Sequence, residues 1–162
     1  MQKGFVTFEI IFITLIIALL ASAAIPNAVR MIDQVALDYE TKKLYTDLRL
    51  LQSLERNRNL EYTHFNLNDG TNPICLTVYP ERYVFRRISD SKIFREHYFS
   101  YGVTADKKSP TEIWQIKFDD TGRVKPAISD SLRLTSRLQK NSYIVFDSVG
   151  RFRGGRTDEQ SE

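Results

Sequence analysis

Cysteine and histidine are nearly absent: one cysteine, Cys75, and two histidines, His64 and His97, stand far apart in 162 residues. A lone thiol cannot close an intramolecular disulfide, and neither histidine has a cysteine or second histidine at metal-ligand spacing. A disulfide scaffold and a structural zinc site are therefore both excluded. Glycine is scarce as well, at 7 residues. No phosphate-cradling glycine loop, nucleophile elbow or His-Glu-x-x-His pattern occurs, and the adjacent carboxylates Asp119 and Asp120 read as turn chemistry. Nothing in the chain recommends an enzyme, and no cofactor or metal is expected.

What is present is one long hydrophobic run. The mean hydropathy of −0.33, with 42% apolar and 27% charged residues and a net charge of +3, describes an ordinary soluble domain only as an average. From Phe5 to Ile25 the sole ionisable side chain is Glu9, so the rest of the chain is distinctly polar. A run of about 20 apolar residues is what a helix needs to cross the hydrocarbon core of a bilayer. The remaining length, about 135 residues, suits one modest core and not two well-buried domains. The layout is one head on one stalk, in two different solvents.

Three readings of the N-terminus compete: a cleaved secretory signal, a plain signal anchor, and a segment processed at its very start. A secretory signal has an apolar stretch of about 7 to 15 residues before a small-residue cleavage site. Ala21-Ser22-Ala23 could serve as that site, leaving a secreted β-protein, but the stretch is long and carries an acid. An ionised carboxylate inside the apolar block costs on the order of 2.5 to 3.5 kcal/mol even on the lenient insertion scale, and a generic anchor has no use for one. Removal of Met1-Gln2-Lys3-Gly4 would supply the use. The new α-amine on Phe5 would stand four residues before Glu9, close enough to pair with it in its own chain or in an axially offset neighbour.

Lys3-Gly4-Phe5, Glu9 at the fifth position of the cleaved product, and an apolar block ending in Ile25-Pro26-Asn27 resemble the class III leader and first helix of type IV pilins and type II secretion pseudopilins. The resemblance implies cleavage between Gly4 and Phe5 by a prepilin peptidase, N-methylation of Phe5, and assembly roles for Glu9 and Pro26. It further implies insertion in the inner or cytoplasmic membrane with the head outside the cytoplasm. Assembly with other pilin or pseudopilin subunits into a periplasmic or surface filament would then be driven through a platform protein and an ATPase acting in trans. Two departures are a four-residue leader and Phe8 where a smaller aliphatic residue is usual. Lys3 on the cytoplasmic side agrees with the positive-inside tendency, and Ala18, Ala21, Ser22, Ala23 and Ala24 are small enough for close helix approach.

Within a long helix, Pro26 costs a backbone hydrogen bond and loosens or kinks the preceding turn. Helical patterning resumes after it over 26–59. Ala28, Ile32, Val35, Tyr39, Leu44, Leu48, Leu51 and Leu54 form the expected packed stripe. Arg30, Asp33, Asp38, Glu40, Lys42, Lys43, Asp47, Arg49, Glu55 and Arg56 are placed on the other faces. Asn57-Arg58-Asn59 ends the pattern. From Leu60 to Arg156 short alternating runs separated by turn residues indicate a β-rich head. Strands are expected at Ile74–Tyr79, Tyr83–Ile88, Tyr98–Val103, Ile113–Phe118, Arg123–Ile128, Ser131–Leu134, Tyr143–Phe146 and near Phe152. Asp119-Asp120-Thr121-Gly122 and Asp147-Ser148-Val149-Gly150 are hairpin turns. Leu67 to Pro73 is a loop without the alternating carboxylates of a calcium site, and residues 157–162 form a polar tail. The expected class is α+β: a long N-terminal helix packed on a β-rich head.

The helix end from Leu48 to Asn59 and the hairpin Ile144 to Arg151 followed by Gly154-Gly155 resemble the GspH/FimT group of minor pilins and pseudopilins, which implies an antiparallel β-sheet head of two sheets packed against the helix. In Gly150-Arg151-Phe152-Arg153-Gly154-Gly155-Arg156, three guanidiniums surround one aromatic, and this run is similar to the Gly-Arg-x-Arg tail with which FimT-type minor pilins capture DNA. Arg151, Arg153 and Arg156 suit phosphate contact. A plain turn with solvated arginines, partly neutralised by Asp158, Glu159 and Glu162, accounts for the same residues. Arg82, Arg86, Arg87, Lys92 and Arg95, interleaved with Tyr83, Phe85, Phe94 and Tyr98, read as the solvated face of a strand pair. Secretion pseudopilus, pilus and DNA-uptake system stay open at this level.

Overall fold

A computed structural model describes residues 3–56, 74–88, 90–107, 114–119, 121–125, 130–147 and 150–157. The helix end at Asn57–Asn59, the loop at Leu67–Pro73, and residues 158–162 of the tail lie outside these described residues.

No glycine occurs between Gly4 and Gly70, and the intervening sequence is rich in Leu, Ile and Ala, strong or adequate helix formers. One helix, α1 (Lys3–Arg56), occupies the whole described stretch and runs through Pro26. Proline removes the N–H that would bond the carbonyl of Ser22. The neighbouring turn is reinforced from side chains: Ser22 Oγ donates to Leu19 O at 2.7 Å and Asn27 Nδ2 to Ala23 O at 3.2 Å.

Among the described residues nine strands follow: β1 (Ile74–Val78), β2 (Arg82–Arg87), β3 (Ile93–Tyr98), β4 (Thr104–Lys107), β5 (Trp114–Phe118), β6 (Val124–Lys125), β7 (Asp130–Thr135), β8 (Asn141–Phe146) and β9 (Phe152–Thr157). They form two antiparallel sheets, ordered β3-β2-β1-β5-β6 and β4-β7-β8-β9. Period-2 alternation sets the register. Leu132 opposes Ile144 on the inner face of the second sheet, and Leu76 lies between Phe85 and Ile116 in the first. These side chains, with Phe118, Leu134, Phe146 and Phe152, close on Leu37, Leu44, Leu48 and Leu51 of α1 in one buried cluster. The α+β architecture with two sheets against a long helix is the expected one.

The strand expected at Tyr98–Val103 is not formed. Tyr101 and Gly102 both have positive φ, 54° and 72°, and Val103 N bonds Ser100 O at 3.1 Å. Two successive positive-φ residues make a tight mirror-image turn, which ends β3 and passes the chain to β4 in the other sheet. β3 itself escaped notice because it is an edge strand whose Arg95 and Glu96 break the alternation, with a bulge opposite Phe85/Arg86.

The expected helix stripe is also corrected. Leu44, Leu48 and Leu51 are buried, but Ile32, Val35 and Tyr39 are exposed, and the acids Asp33, Glu40, Asp47 and Glu55 are buried instead. The step of five from Tyr39 to Leu44 turns a helix about 140° away, so the apolar residues as grouped span two faces. The face on the head is Asp33, Leu37, Glu40, Leu44, Asp47 and Leu51, in alternating steps of four and three.

Candidate functional site

α1 divides at its middle into a bare half and a riveted half. An 18-residue window near its start has mean hydropathy 2.6 and none of it is buried. Phe8, Ile10, Ile11, Phe12, Ile13, Leu15, and on to Leu20 and Ile25 are all exposed. Glu9 is exposed among them, on the same helix as Gly4, Phe5 and Pro26; the side chain of Phe5 lies outside the described set. The bare half is long enough to cross a bilayer by length and composition.

From Asp33 onward, each buried acid of α1 is tied to the head. Asp33 accepts from Ser136 Oγ at 2.6 Å and Leu138 N at 3.3 Å. Glu40, with no exposed surface, contacts His97 Nε2 at 2.7 Å and accepts from Ser100 N at 3.0 Å and Ser100 Oγ at 2.5 Å. Asp47 accepts from Tyr83 OH at 2.6 Å and pairs with Arg95 at 3.1 Å. Glu55 accepts from Ile74 N at 2.9 Å. Burying a carboxylate is costly unless its lone pairs are satisfied, and here the helix dictates where four loops and strands must meet it. Burial first, then the bond to Asp47, pushes the Tyr83 phenol well above the usual tyrosine range. Sequence reading missed these acids because charge suggested the solvent face. The signal was their spacing: Asp33, Glu40 and Asp47 recur every seven residues, one step of four before Leu37, Leu44 and Leu51.

At the far end of α1 the two expected Asp-x-x-Gly turns stack on one another. In each, the glycine N–H bonds the aspartate carbonyl, Gly122 to Asp119 and Gly150 to Asp147, both at 2.9 Å. Gly122 and Gly150 have φ of 79° and 84°, the left-handed geometry that closes a three-residue hairpin loop. Asp119 Oδ1 also accepts from Thr121 N and Arg123 N. Gln52 of α1 donates through Nε2 to both glycine carbonyls, at 2.7 Å to Gly122 and 2.9 Å to Gly150. One helix side chain thus joins a hairpin from each sheet.

The arginines flank this junction. Arg123 and Arg151 directly follow the two glycines and are exposed, and Arg153 is exposed on edge strand β9; the side chain of Arg156 lies outside the described set. Arg49 stacks over the Phe152 ring at 4.6 Å and donates to Tyr45 OH at 2.9 Å, so it is a packing residue of the β9 edge. Gly155 is the extra residue where the β8–β9 register shifts. Arg82 stacks with Tyr79 and Tyr98 and pairs with Glu96, and Arg87 lies over Phe94. Two of the interleaved cations of β2, Arg82 and Arg87, are thus engaged by neighbouring aromatics, and Arg95 of β3 turns to Asp47 of α1.

Two crystal structures of the type IV minor pilin FimU from Pseudomonas aeruginosa strain PAO1, in space groups P65 and P21, match this fold with TM-scores of 0.55 and 0.57. Identity is 13% and 14%, over 78% and 80% of this chain and 97% and 95% of those chains. No family model and no curated protein matches the sequence. The fold, a helix riveted by its second half to two antiparallel sheets, is similar to that of a type IV minor pilin, and at these identities the likeness is one of fold alone.

Proposed function

We propose that the chain is a non-enzymatic minor pilin or pseudopilin subunit, held in a membrane by the first half of α1 and assembled through that helix into a type IV pilus-like filament or type II secretion pseudopilus. The observation that carries this reading is the exposed apolar half of α1: among the described residues none of its apolar window is buried, which leaves these side chains for lipid or for other copies of the same helix. A prepilin peptidase would cut between Gly4 and Phe5, with methylation of the new amine. Glu9 would then pair with the amine of a neighbouring subunit during extraction, which a platform protein and an ATPase drive. The position of the single acid in an otherwise apolar surface supports that role. In cells bearing the assembly machinery, Glu9→Val should insert in the membrane and fold, yet be strongly depleted from sheared filaments. Incorporation equal to the parent overturns the reading.

The stacked turns favour a second reading, DNA capture in an uptake pilus. They set Arg123 beside the arginine-rich segment, adding to Arg151 and Arg153 a guanidinium that is remote in sequence. The full chain in detergent should bind duplex DNA with a salt slope that falls by about 0.9 for each phosphate contact removed when Arg151, Arg153 and Arg156 become Gln. An unchanged slope excludes this segment.

A further inference from the structure

The lower end of the head, nearest the bare half of α1, is built from two turns that expose apolar and cationic side chains together. The β3–β4 turn presents Tyr101, 71% exposed, and the β7–β8 turn presents Leu138, 43% exposed, between exposed Arg137 and Lys140. Both tips hold non-glycine residues at positive φ, Tyr101 at 54° and Gln139 at 63°, a conformation that costs on the order of 1 kcal/mol for such residues. The turns are neighbours, since a Cβ on Gly102 would lie 3.6 Å from Arg137 Cβ. Each is pinned to α1: Ser100 to Glu40, Leu138 to Asp33, and Lys140 Nζ to Gln34 at 3.2 Å. On the adjoining helix face Arg30, Met31, Ile32 and Val35 are exposed.

Height along the helix identifies what this surface meets. At 1.5 Å per residue, Arg30 stands about 8 Å and Asp33 about 12 Å beyond Ile25, where the apolar block ends. The headgroup layer outside the hydrocarbon is about 5 to 8 Å deep on each side, so long side chains hanging from the turn held by Asp33 reach it. Of the carboxylates at this level, Asp33 and Glu40 are buried in their bonds to the head, whereas Asp38 of α1 and Glu81, on the adjoining β1–β2 turn whose carbonyl accepts from Phe99 N, are exposed beside the cations. A tyrosine, a leucine and snorkelling cations at one depth are the chemistry of a membrane interface.

We infer that the Tyr101 and Arg137–Lys140 turns form a seat that rests the head on an anionic lipid surface before assembly, with Arg137, Lys140 and Arg30 on headgroup phosphates and Tyr101 and Leu138 packed among the headgroups. This rests on the membrane-anchored reading above. The seat fixes the angle of the head to the bilayer, and extraction into a filament breaks it.

The test uses the full chain in nanodiscs, with a fluorophore on a cysteine introduced at Leu138 or at Thr121 on the upper turn; native Cys75 is buried. Headgroup-nitroxide lipid should quench the label at 138 about threefold more than at 121 in phosphatidylglycerol discs, and Arg137→Gln with Lys140→Gln should remove most of that excess. Equal quenching at 138 and 121 overturns the seat, as does an excess that survives the double substitution and pure phosphatidylcholine. A third label at Leu15, read against acyl-chain nitroxide, separates the two ideas: quenching at 15 without excess at 138 refutes the seat alone, and no quenching at 15 refutes the membrane reading as well.

Discussion

Gly150 marks the tightest backbone approach at the helix end, since a Cβ there would stand 2.5 Å from Gly122 O and 2.7 Å from Arg123 Cα, at a φ of 84°. Gly122 differs: its added Cβ meets the Arg56 side chain at 2.8 Å, and Arg56 is exposed and can move. Both substitutions force a side chain onto left-handed backbone, but only Gly150→Ala must also push the stacked hairpins apart. Chemical denaturation should show Gly150→Ala destabilising by about 3 kcal/mol or more and Gly122→Ala by about 1 to 2 kcal/mol; equal losses would contradict the stacked arrangement. Each turn was legible from its Asp-x-x-Gly spelling, which encodes a local conformation. Their contact was not, because it joins residues 28 positions apart in different sheets and is mediated by Gln52, a polar side chain that no periodicity marks. Tyr83 carries a pH consequence. Its raised pKa means that above about pH 10 the unfolded chain loses this proton and the folded chain keeps it. Stability should therefore be intact below the ordinary tyrosine pKa and fall as pH rises above it, by up to about 1.4 kcal/mol per pH unit for one proton. Tyr83→Phe should flatten that decline by about one proton; an unchanged slope would show that the phenol ionises in place.

The second half of α1 owes its seat to two sets of contacts with different physics. Leu37, Leu44, Leu48 and Leu51 supply area removed from water, which is favourable but non-directional. The acids supply direction, because Asp33, Glu40 and Asp47 each accept from a specific head group and so fix the rotation and axial position of the helix. Glu40→Ala leaves Ser100 N and His97 without their buried acceptor and should cost about 3 kcal/mol. Hydrogen exchange should rise first over the β3–β4 turn and the middle of α1 and spare β7–β8. Uniform loss of protection would mean that the acid is only one more core contact. The sequence shows the helix and most strands plainly, since hydrophobic period is a strong local signal. It conceals β3 and the packed side of α1 for one shared reason. Arg95 pairs with Asp47, so each element carries a charge that looks solvated until the other is placed beside it.

At the scale of the whole molecule, one chain joins a helix whose apolar first half is unburied among the described residues to a β-rich unit whose core is closed by the second half of that helix. The division into an apolar stalk and a polar head was readable from hydropathy alone, because about 20 residues of apolar character with a single charge among them have few other uses. The two-sheet arrangement was expected from resemblance, and the pairing order was not, since the chain passes from β3 to β4 in the other sheet through a turn that sequence reads as strand. A pilin-type assembly helix, as proposed for the stalk, and a signal peptide predict different covalent structures. Intact mass of the protein extracted from membranes of a host with a prepilin peptidase should equal the chain lacking Met1-Gln2-Lys3-Gly4 plus one methyl group, with the N-terminus at Phe5. A mature chain beginning near Ala24, or an uncut chain in the presence of active peptidase, would contradict it.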